Sequence, residues 1–459
     1  MPVHRTGRVM LLGLARQRLA VCWMLSVLVY LAGGALEGYA QEDATTEPAQ
    51  NTAPANAVEL QPEALSLSDC VAIALGEQVD ILIGEQALAS AKANEIRQKS
   101  AYYPQLSVQS SRMLIEHSAL DRDKTSHQVA LSHLFWDNGL REASVKSAQY
   151  GFQAADAELL RTRQATIYQV TTAYFALLRA QQLAQVTEAQ VGYTEGQLLL
   201  VEGRIQAGDA APVDALPLRA QLANARVSDL AARNDVFLAA TNLQQAMGLT
   251  PEATFAIQEV PRPALLESPS FEPALAEALA KRPDQVAAQA SARSAEQSVK
   301  MAKIQKGAQL SVTGDYYNPL SGSNDDNYDV TAVVVYDIFD GKANKAAYEQ
   351  AKASLSQANL RARQVTKDIT AELRSALLDL TNSQERVKAS ALSVEAAQAN
   401  LDAQDARYAQ GLGIPLDLVN AQLELTTARS NAVEADYDYL TALARVHYAL
   451  GREGVVSWD

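Results

Sequence analysis

The chain is expected to be mainly α-helical with a small β part, built from two copies of one plan: paired strands followed by a long helical hairpin. Three observations carry this. An internal repeat runs at a nearly constant offset of 203 residues. Arg141 to Gln206 and Ala343 to Gln410 hold no proline. Two short segments, Gln309 to Tyr317 and Tyr328 to Phe339, alternate in character residue by residue.

The 459 residues are 48% hydrophobic and 20% charged, ample for one large or two ordinary domains. A net charge of −14 argues against a nucleic-acid partner, because phosphate recognition wants a basic face. Two cysteines allow at most one disulfide. Frequent alanine suggests closely packed helices.

The elements follow in order. Arg5, Arg8, Arg16 and Arg18 precede an uncharged apolar run, Leu19 to Leu36, and small residues Gly38 and Ala40 close it. That is the pattern of a secretory signal over residues 1–40; a single membrane anchor is the alternative. Cys22, preceded by Val21 and followed by apolar residues, is a poor lipid-attachment site. Cleavage after Ala40 would remove a net +3, leaving about −17 and one cysteine, Cys70. Residues 41–62 are polar and read as a flexible exported leader.

Two halves follow, 63–262 and 263–459. Gly208-x-x-x-Pro212-x-Asp214 returns as Gly411-x-x-x-Pro415-x-Asp417, Ala225-Arg226 as Ala428-Arg429, and Gly248 as Gly451, all at the offset of 203. Gln105 to Val108 returns as Gln309 to Val312 at 204. A unit this long is a duplicated half-protein rather than a solenoid repeat. The join falls near Pro261 to Pro273.

Each half opens with a helix, Ser68 to Ser100 and Phe271 to Lys306, the second broken near Pro283. Two strands around a polar loop come next. The long helix after them spans roughly 100 Å in the first half at 1.5 Å per residue. Val145, Phe152 and Leu159 recur at seven, and Ile167, Val170, Tyr174 and Leu177 at a 3-4-3 spacing, as in a coiled-coil seam. Gly208 and Gly411 form tips. Pro212 and Pro415 begin return helices, where a missing N–H costs nothing, and Gly248 and Gly451 stop them.

These helices alone also suit an exported coiled-coil scaffold. The strands favour a membrane. Leu310, Val312, Gly314 and Tyr316 share one face, as do Val330, Ala332, Val334, Tyr336 and Ile338, while Gln309, Ser311, Thr313, Asp315 and Tyr317, and Asp329, Thr331, Val333, Val335 and Asp337, take the other. Segments of about ten residues with this alternation suit lipid on one side and water on the other. Tyr102, Tyr103, Phe135, Trp136, Tyr316, Tyr317 and Tyr336 cluster at strand ends, as an aromatic girdle does. Four strands cannot close a barrel, and an open edge in hydrocarbon leaves backbone groups unpaired. Lipid contact therefore demands a cyclic homo-oligomer whose strand total is a multiple of four.

The duplicated helix–strand–strand–helix–helix plan, the segment Leu65-Ser66-Leu67-Ser68-Asp69-Cys70 continuing to Leu75, the run Tyr103-Pro104-x-Leu106-Ser107-Val108 and the two tip motifs together resemble the TolC family of outer-membrane efflux and secretion channels. The resemblance spans nearly all of Leu65 to Glu453. It implies a homotrimer with a 12-stranded barrel in outer-membrane lipid and an α-helical periplasmic tunnel. It also implies a passive exit duct docked to a periplasmic adaptor and a proton-driven or ATP-driven inner-membrane pump, with no catalytic residue and no cofactor. By motif, the periplasmic gate would hold Asp214, Tyr408, Asp417 and Asn420, with Gly413 where some members carry a basic residue. Ala207, Gly208 and Asp209, with Gln410, Gly411 and Leu412, would be offered to the adaptor. Independently, a ring of carboxylates at a narrow point favours cations, although an aspartate at a helix start also has a purely local reason.

Other chemistry is sparse. The exported part has His117, His127, His133 and His447. His127 and His133 lie about 20 Å apart on one strand, too far to share a metal. His447 reads as helix packing, and Cys70 as a buried thiol. Asp325 to Asp329 lacks the glycine of a calcium loop and reads as an external loop. Gly411-Leu412-Gly413 lacks the third glycine of a nucleotide site.

Overall fold

The computed structural model describes residues 64–112, 125–250, 255–260, 265–266, 268–319, 327–452 and 454. The signal, Cys22, the leader, His117, Asp325 and Asp326, and residues 261–264 and 267 of the Pro261–Pro273 join lie outside them. Helices α1 (Leu67–Glu77) and α2 (Val79–Ser100) lead to strands β1 (Gln105–Arg112) and β2 (Thr125–Trp136). Helix α3 (Leu140–Ala207) then turns back through α4 (Ala215–Ala246). The order repeats as α5 (Phe271–Lys281), α6 (Pro283–Ile304), β3 (Gln309–Pro319), β4 (Asn327–Val335), α7 (Ala343–Ala409) and α8 (Pro415–Ala449).

Helix α1 begins on a capping box: the Ser66 hydroxyl accepts from Asp69 N–H, and the Asp69 carboxylate accepts from Ser66 N–H at 3.0 Å. Its apolar face, Cys70, Val71 and Ala74, joins Val170, Tyr174, Leu178 and Leu243 in the first-half core. Burial pushes the Cys70 thiol up to about 12, so it stays protonated and inert. The second-half core gathers Ala278, Ile369, Leu373, Leu380, Tyr439 and Leu450.

Both opening helices are broken, whereas only the proline-marked break is visible in the sequence. Lys281 and Pro283 flank the extended Arg282, and Glu77 and Val79 flank the extended Gln78. The first break needs no proline because tertiary packing imposes it. Gly248, at φ +78°, ends α4 against it so closely that a Cβ would stand 2.9 Å from the Glu77 carbonyl oxygen. Gly451, at φ +70°, lies against Arg282 in the same way.

The seam of α3 has two characters. Of the 3-4-3 set Val170, Tyr174 and Leu177 are buried and Ile167 half-buried; of the set spaced by seven only Leu159 is buried, with Val145 and Phe152 half-buried. Nearer the sheet the buried positions are Ala143, Ala148, Ala154 and Ala157, and α6 answers with Ala287 and Ala290. Small side chains let these backbones approach. There Ser147 and Ser294 hydroxyls meet at 3.0 Å.

The strands form one antiparallel meander, β1-β2-β3-β4. The two repeats are stitched together by the β2–β3 pairing. β4 stops at Val335 rather than reaching Phe339, because its one neighbour among the described residues, β3, begins at Gln309, the partner of Val335. Asn327, read above as part of the external loop, already belongs to β4, which begins one residue before the expected Tyr328.

Candidate functional site

The register decides which side chains share a face. Val108 stands opposite Val129, and Leu106 opposite Leu131. Val129 then meets Tyr316, and Leu131 meets Gly314. Gly314 meets Val330, Val312 meets Ala332, and Leu310 meets Val334. One face is therefore mainly apolar across all four strands, with the polar pair Ser110 and His127 at its far end. The other carries Ser107, Gln128, Ser132, Thr313, Asp315, Asp329 and Thr331, with Ala130, Leu134, Val333 and Val335 among them. On it Gln128 donates to Asp315 at 2.8 Å. Strand β2 carries a bulge between Leu134 and Trp136. It shifts Phe135 and Trp136 in phase, and His133 falls on the apolar face opposite Val312, its ring edge-on to Phe135 at 4.8 Å. A bulge bends and re-aims a strand in this way.

Aromatic side chains mark both ends of the sheet. Tyr102, Tyr103, Phe135, Trp136 and Tyr336 are exposed at the helix end. Tyr316, Tyr317 and Tyr328 are exposed toward the far end. From Leu310 to Tyr316 is roughly 20 Å of strand, and the apolar residues lie between the two groups. At the helix end Arg141 ties the junction. Its Nε meets Asp137 at 3.0 Å, it donates to the carbonyls of Ala101 and Phe135, and its guanidinium stacks on Tyr102 at 5.0 Å. Asp137 also caps α3 through Gly139 and Arg141 N–H, and Asp340 does the same for α7 through Lys342 and Asn344 N–H.

At the opposite ends of the hairpins the two tips are twins. Gly208 (φ +87°) and Gly411 (φ +75°) adopt the left-handed conformation. Asp209 N–H reaches back to the Arg204 carbonyl at 2.8 Å, and Leu412 N–H to the Arg407 carbonyl at 2.9 Å, the longer bond of a Schellman ending. Ala207, Gly208, Asp209, Gln410, Gly411 and Leu412 are all exposed. So are the apolar Val213, Leu216, Ile414 and Leu416 beside them.

The four gate candidates divide. Asp214 closes a 3-10 turn, Pro212–Asp214, and its carboxylate accepts from Ala211 N–H at 3.1 Å; α4 itself starts one residue later. Asp417 is half-buried in the first turn of α8, and Asn420 is exposed. Each aspartate thus has a helix-start role on its own tip. Tyr408 is buried (9% exposed) beneath the Arg204 guanidinium, 4.7 Å from its ring centroid. Gly413 hugs this tyrosine: a Cβ there would lie 3.2 Å from Tyr408 N, so a larger residue needs a shifted backbone.

Apolar periodicity misses three features here. Arg204 bridges the hairpins through Tyr408, and Tyr193 of α3 donates to Asp405 of α7 at 3.3 Å. A ladder of ion pairs joins α3 to α4: Glu202 with Arg219 at 2.8 Å, Glu195 with Arg226 at 2.6 Å, Glu188 with Arg233 at 3.3 Å. Both members step by seven, so a search for charges at heptad spacing on facing helices would find it. Exposed pairs add little stability; their use is register.

Among the described residues no helix is long and apolar enough to cross a membrane, and no group of His, Cys, Asp or Glu is placed to hold a metal ion. A sheet with one apolar face, open at both edges and continued by paired long hairpins, is the subunit plan of an outer-membrane channel. The outer membrane efflux protein profile matches residues 71–249 and again 274–452. The outer membrane efflux protein BepC of Brucella suis is 25% identical over 77% of this chain and 78% of its own length. The outer membrane protein TolC of Vibrio cholerae is 24% identical over 67% and 72%. The open-state outer membrane channel MtrE of Neisseria gonorrhoeae superposes with a TM-score of 0.74 at 18% identity, over 84% of this chain and 89% of that one. The chain belongs to the outer membrane efflux protein family. It is an outer-membrane exit channel for efflux or type I secretion.

Proposed function

We propose that three copies of this chain assemble into a 12-stranded barrel in outer-membrane lipid, continued into the periplasm by an α-helical tunnel. The open meander carries this reading. Among the described residues β1 and β4 each pair on one side only, and a free edge cannot stand in hydrocarbon. β4 of one copy pairing with β1 of the next removes every edge. Apolar side chains then face lipid and the Ser107–Gln128–Thr313–Asp315 face lines water.

The assembled duct is passive and catalyses no reaction. TolC-family channels work with an adaptor and an inner-membrane pump, and the exposed twin tips suit adaptor docking. A proton-driven or ATP-driven pump would supply the energy. Asp214 and Asp417, repeated threefold near Tyr408 and Asn420, would form a cation-favouring entrance.

Mass measurement in detergent micelles tests the assembly, with a trimer as the expected result. Single-channel recording in planar bilayers should give discrete steps. A monomer, soluble without surfactant and silent in bilayers, would favour the scaffold alternative. The entrance has its own test. Asp214→Asn with Asp417→Asn should move the reversal potential in a salt gradient toward the non-selective value. An unchanged potential removes the gate assignment and leaves the channel standing.

A further inference from the structure

Between α3, α7 and α8, short of the tips, lies a partly open cavity of about 290 Å³. Tyr193, Asp402, Asp405, Gln422 and Thr426 contribute polar groups to its wall. Gln422 is only 7% exposed, and its Oε1 is a buried acceptor without a hydrogen-bond partner; its Nε2 lies 3.3 Å from Thr426 Oγ1. A buried acceptor left unpaired is costly, so the wall is short of a donor.

The repeat says which donor is missing. At the offset of 203, Asp405 corresponds to Glu202 and Gln422 to Arg219. In the first hairpin those two form an ion pair at 2.8 Å. In the second the carboxylate remains and glutamine replaces the guanidinium. Asp405 receives the Tyr193 hydroxyl at 3.3 Å, a neutral donor. Asp402 receives Gln398 Nε2 at 2.9 Å. The nearby guanidinium, Arg429, is directed to Gln398 Oε1 at 2.7 Å. Two carboxylates and one guanidinium leave the wall net negative.

We propose that this cavity binds a small organic cation bearing N–H donors, a primary ammonium or guanidinium, between Asp405 and Gln422 Oε1 in the place that Arg219 fills in the first hairpin. The size suits a free amine of a few heavy atoms. Donors are required because Asp405 and the unpartnered Gln422 acceptor line the same cavity; positive charge alone does not answer Gln422. The bound cation would link α7 and α8 to α3, and so hold the two hairpins together.

Titration calorimetry of the full chain in detergent with propylammonium chloride tests this, against tetramethylammonium chloride and sodium chloride at equal ionic strength. Saturable heat is expected for propylammonium alone. Asp405→Asn should weaken it at least about tenfold, because the amide oxygen still accepts but the carboxylate charge that strengthens the bond to a cation is gone. Gln422→Arg should abolish it and raise the unliganded melting temperature, since the chain then supplies its own cation. Circular dichroism confirms that each variant is folded. Three results would overturn the proposal: no saturable heat, which leaves water alone in the cavity; equal binding of tetramethylammonium, which reports diffuse charge; or undiminished binding in Gln422→Arg.

Discussion

Placing an arginine at Val330 or at Thr331 separates the two faces of the sheet by one residue. Val330 lies opposite Gly314 on the apolar face, and Thr331 opposite Thr313 on the polar one. The 9 residues of β4 reach roughly 30 Å at about 3.4 Å each, and a tilt of about 40° projects this to roughly 23 Å. That is close to the apolar band of about 25 Å in outer-membrane barrels. Val330 sits near the middle of the strand and so near mid-depth. Arginine there should cost about 2–4 kcal/mol per chain, roughly 30- to 700-fold in the folding equilibrium, and a trimer carries the cost three times. Thr331→Arg puts its guanidinium in the water-filled interior at little cost. The oligomer band on unboiled gels after membrane insertion, with urea midpoints in lipid vesicles, reads both variants. Equal damage from the two, or greater damage from Thr331→Arg, would refute the face assignment and the barrel built on it.

Other predictions concern the helices. Gly248→Ala should lower stability by about 1–3 kcal/mol, because a side chain at φ +78° is strained and meets Glu77 at 2.9 Å; Gly76→Ala, in α1 with open space around it, should stabilise by up to about 1 kcal/mol, and thermal melts compare the two. Tyr174→Phe removes the hydroxyl that donates to the Gln258 carbonyl at 2.7 Å, and a loss of about 1–2 kcal/mol is expected in denaturant titration. Burial, and then Arg452, lower the His447 pKa from 6.5 against the pull of Glu277. A histidine with a lowered folded pKa binds its proton less readily when folded, so its contribution is complete above pH 6.5 and falls as the pH drops through the folded value. His447→Gln should therefore flatten the decline of melting temperature below pH 6.5; an unaltered slope would place the titrating group elsewhere.

Much of the architecture is legible in the sequence because backbone geometry dictates it. A left-handed turn wants glycine, so Gly208, Gly411, Gly248 and Gly451 mark tips and helix ends plainly. Alternation marks the strand faces, since a one-residue slip would invert them. The break at Gln78 is hidden because its cause lies in Gly248, far along the chain. The end of β4 is hidden because it depends on where β3 begins. At the candidate site the motif locates Asp214 and Asp417 but not their partners. The Ala211 cap, the Arg204–Tyr408 stack and the unpaired Gln422 Oε1 all depend on how helices distant in sequence come together.

The two repeats differ most where side chains rather than backbone carry the load. At the first break the Gln78 amide donates to the Ala246 carbonyl at 3.4 Å. At the second, Arg282, 3% exposed, donates to the Ala449 carbonyl at 3.2 Å and also binds Asp284 and Glu372. Arg161 of the first repeat joins that same cluster, 3.7 Å from Asp284, with its guanidinium 3.8 Å over the Tyr448 ring. One carbonyl needs one donor, and either an amide or a guanidinium supplies it. The guanidinium brings a charge that must then be matched, so the second break adds Glu372, where the first repeat has Gln169, to the aspartate that both carry, Asp80 in the first and Asp284 in the second. Removing Glu372 alone would leave Arg282 buried with half its countercharge, a costly state, whereas Gln78 imposes no such debt. Duplication therefore fixes where the chain turns but leaves open which chemistry holds the turn. The same freedom turns the Glu202–Arg219 pair of one hairpin into the Asp405–Gln422 cavity of the other.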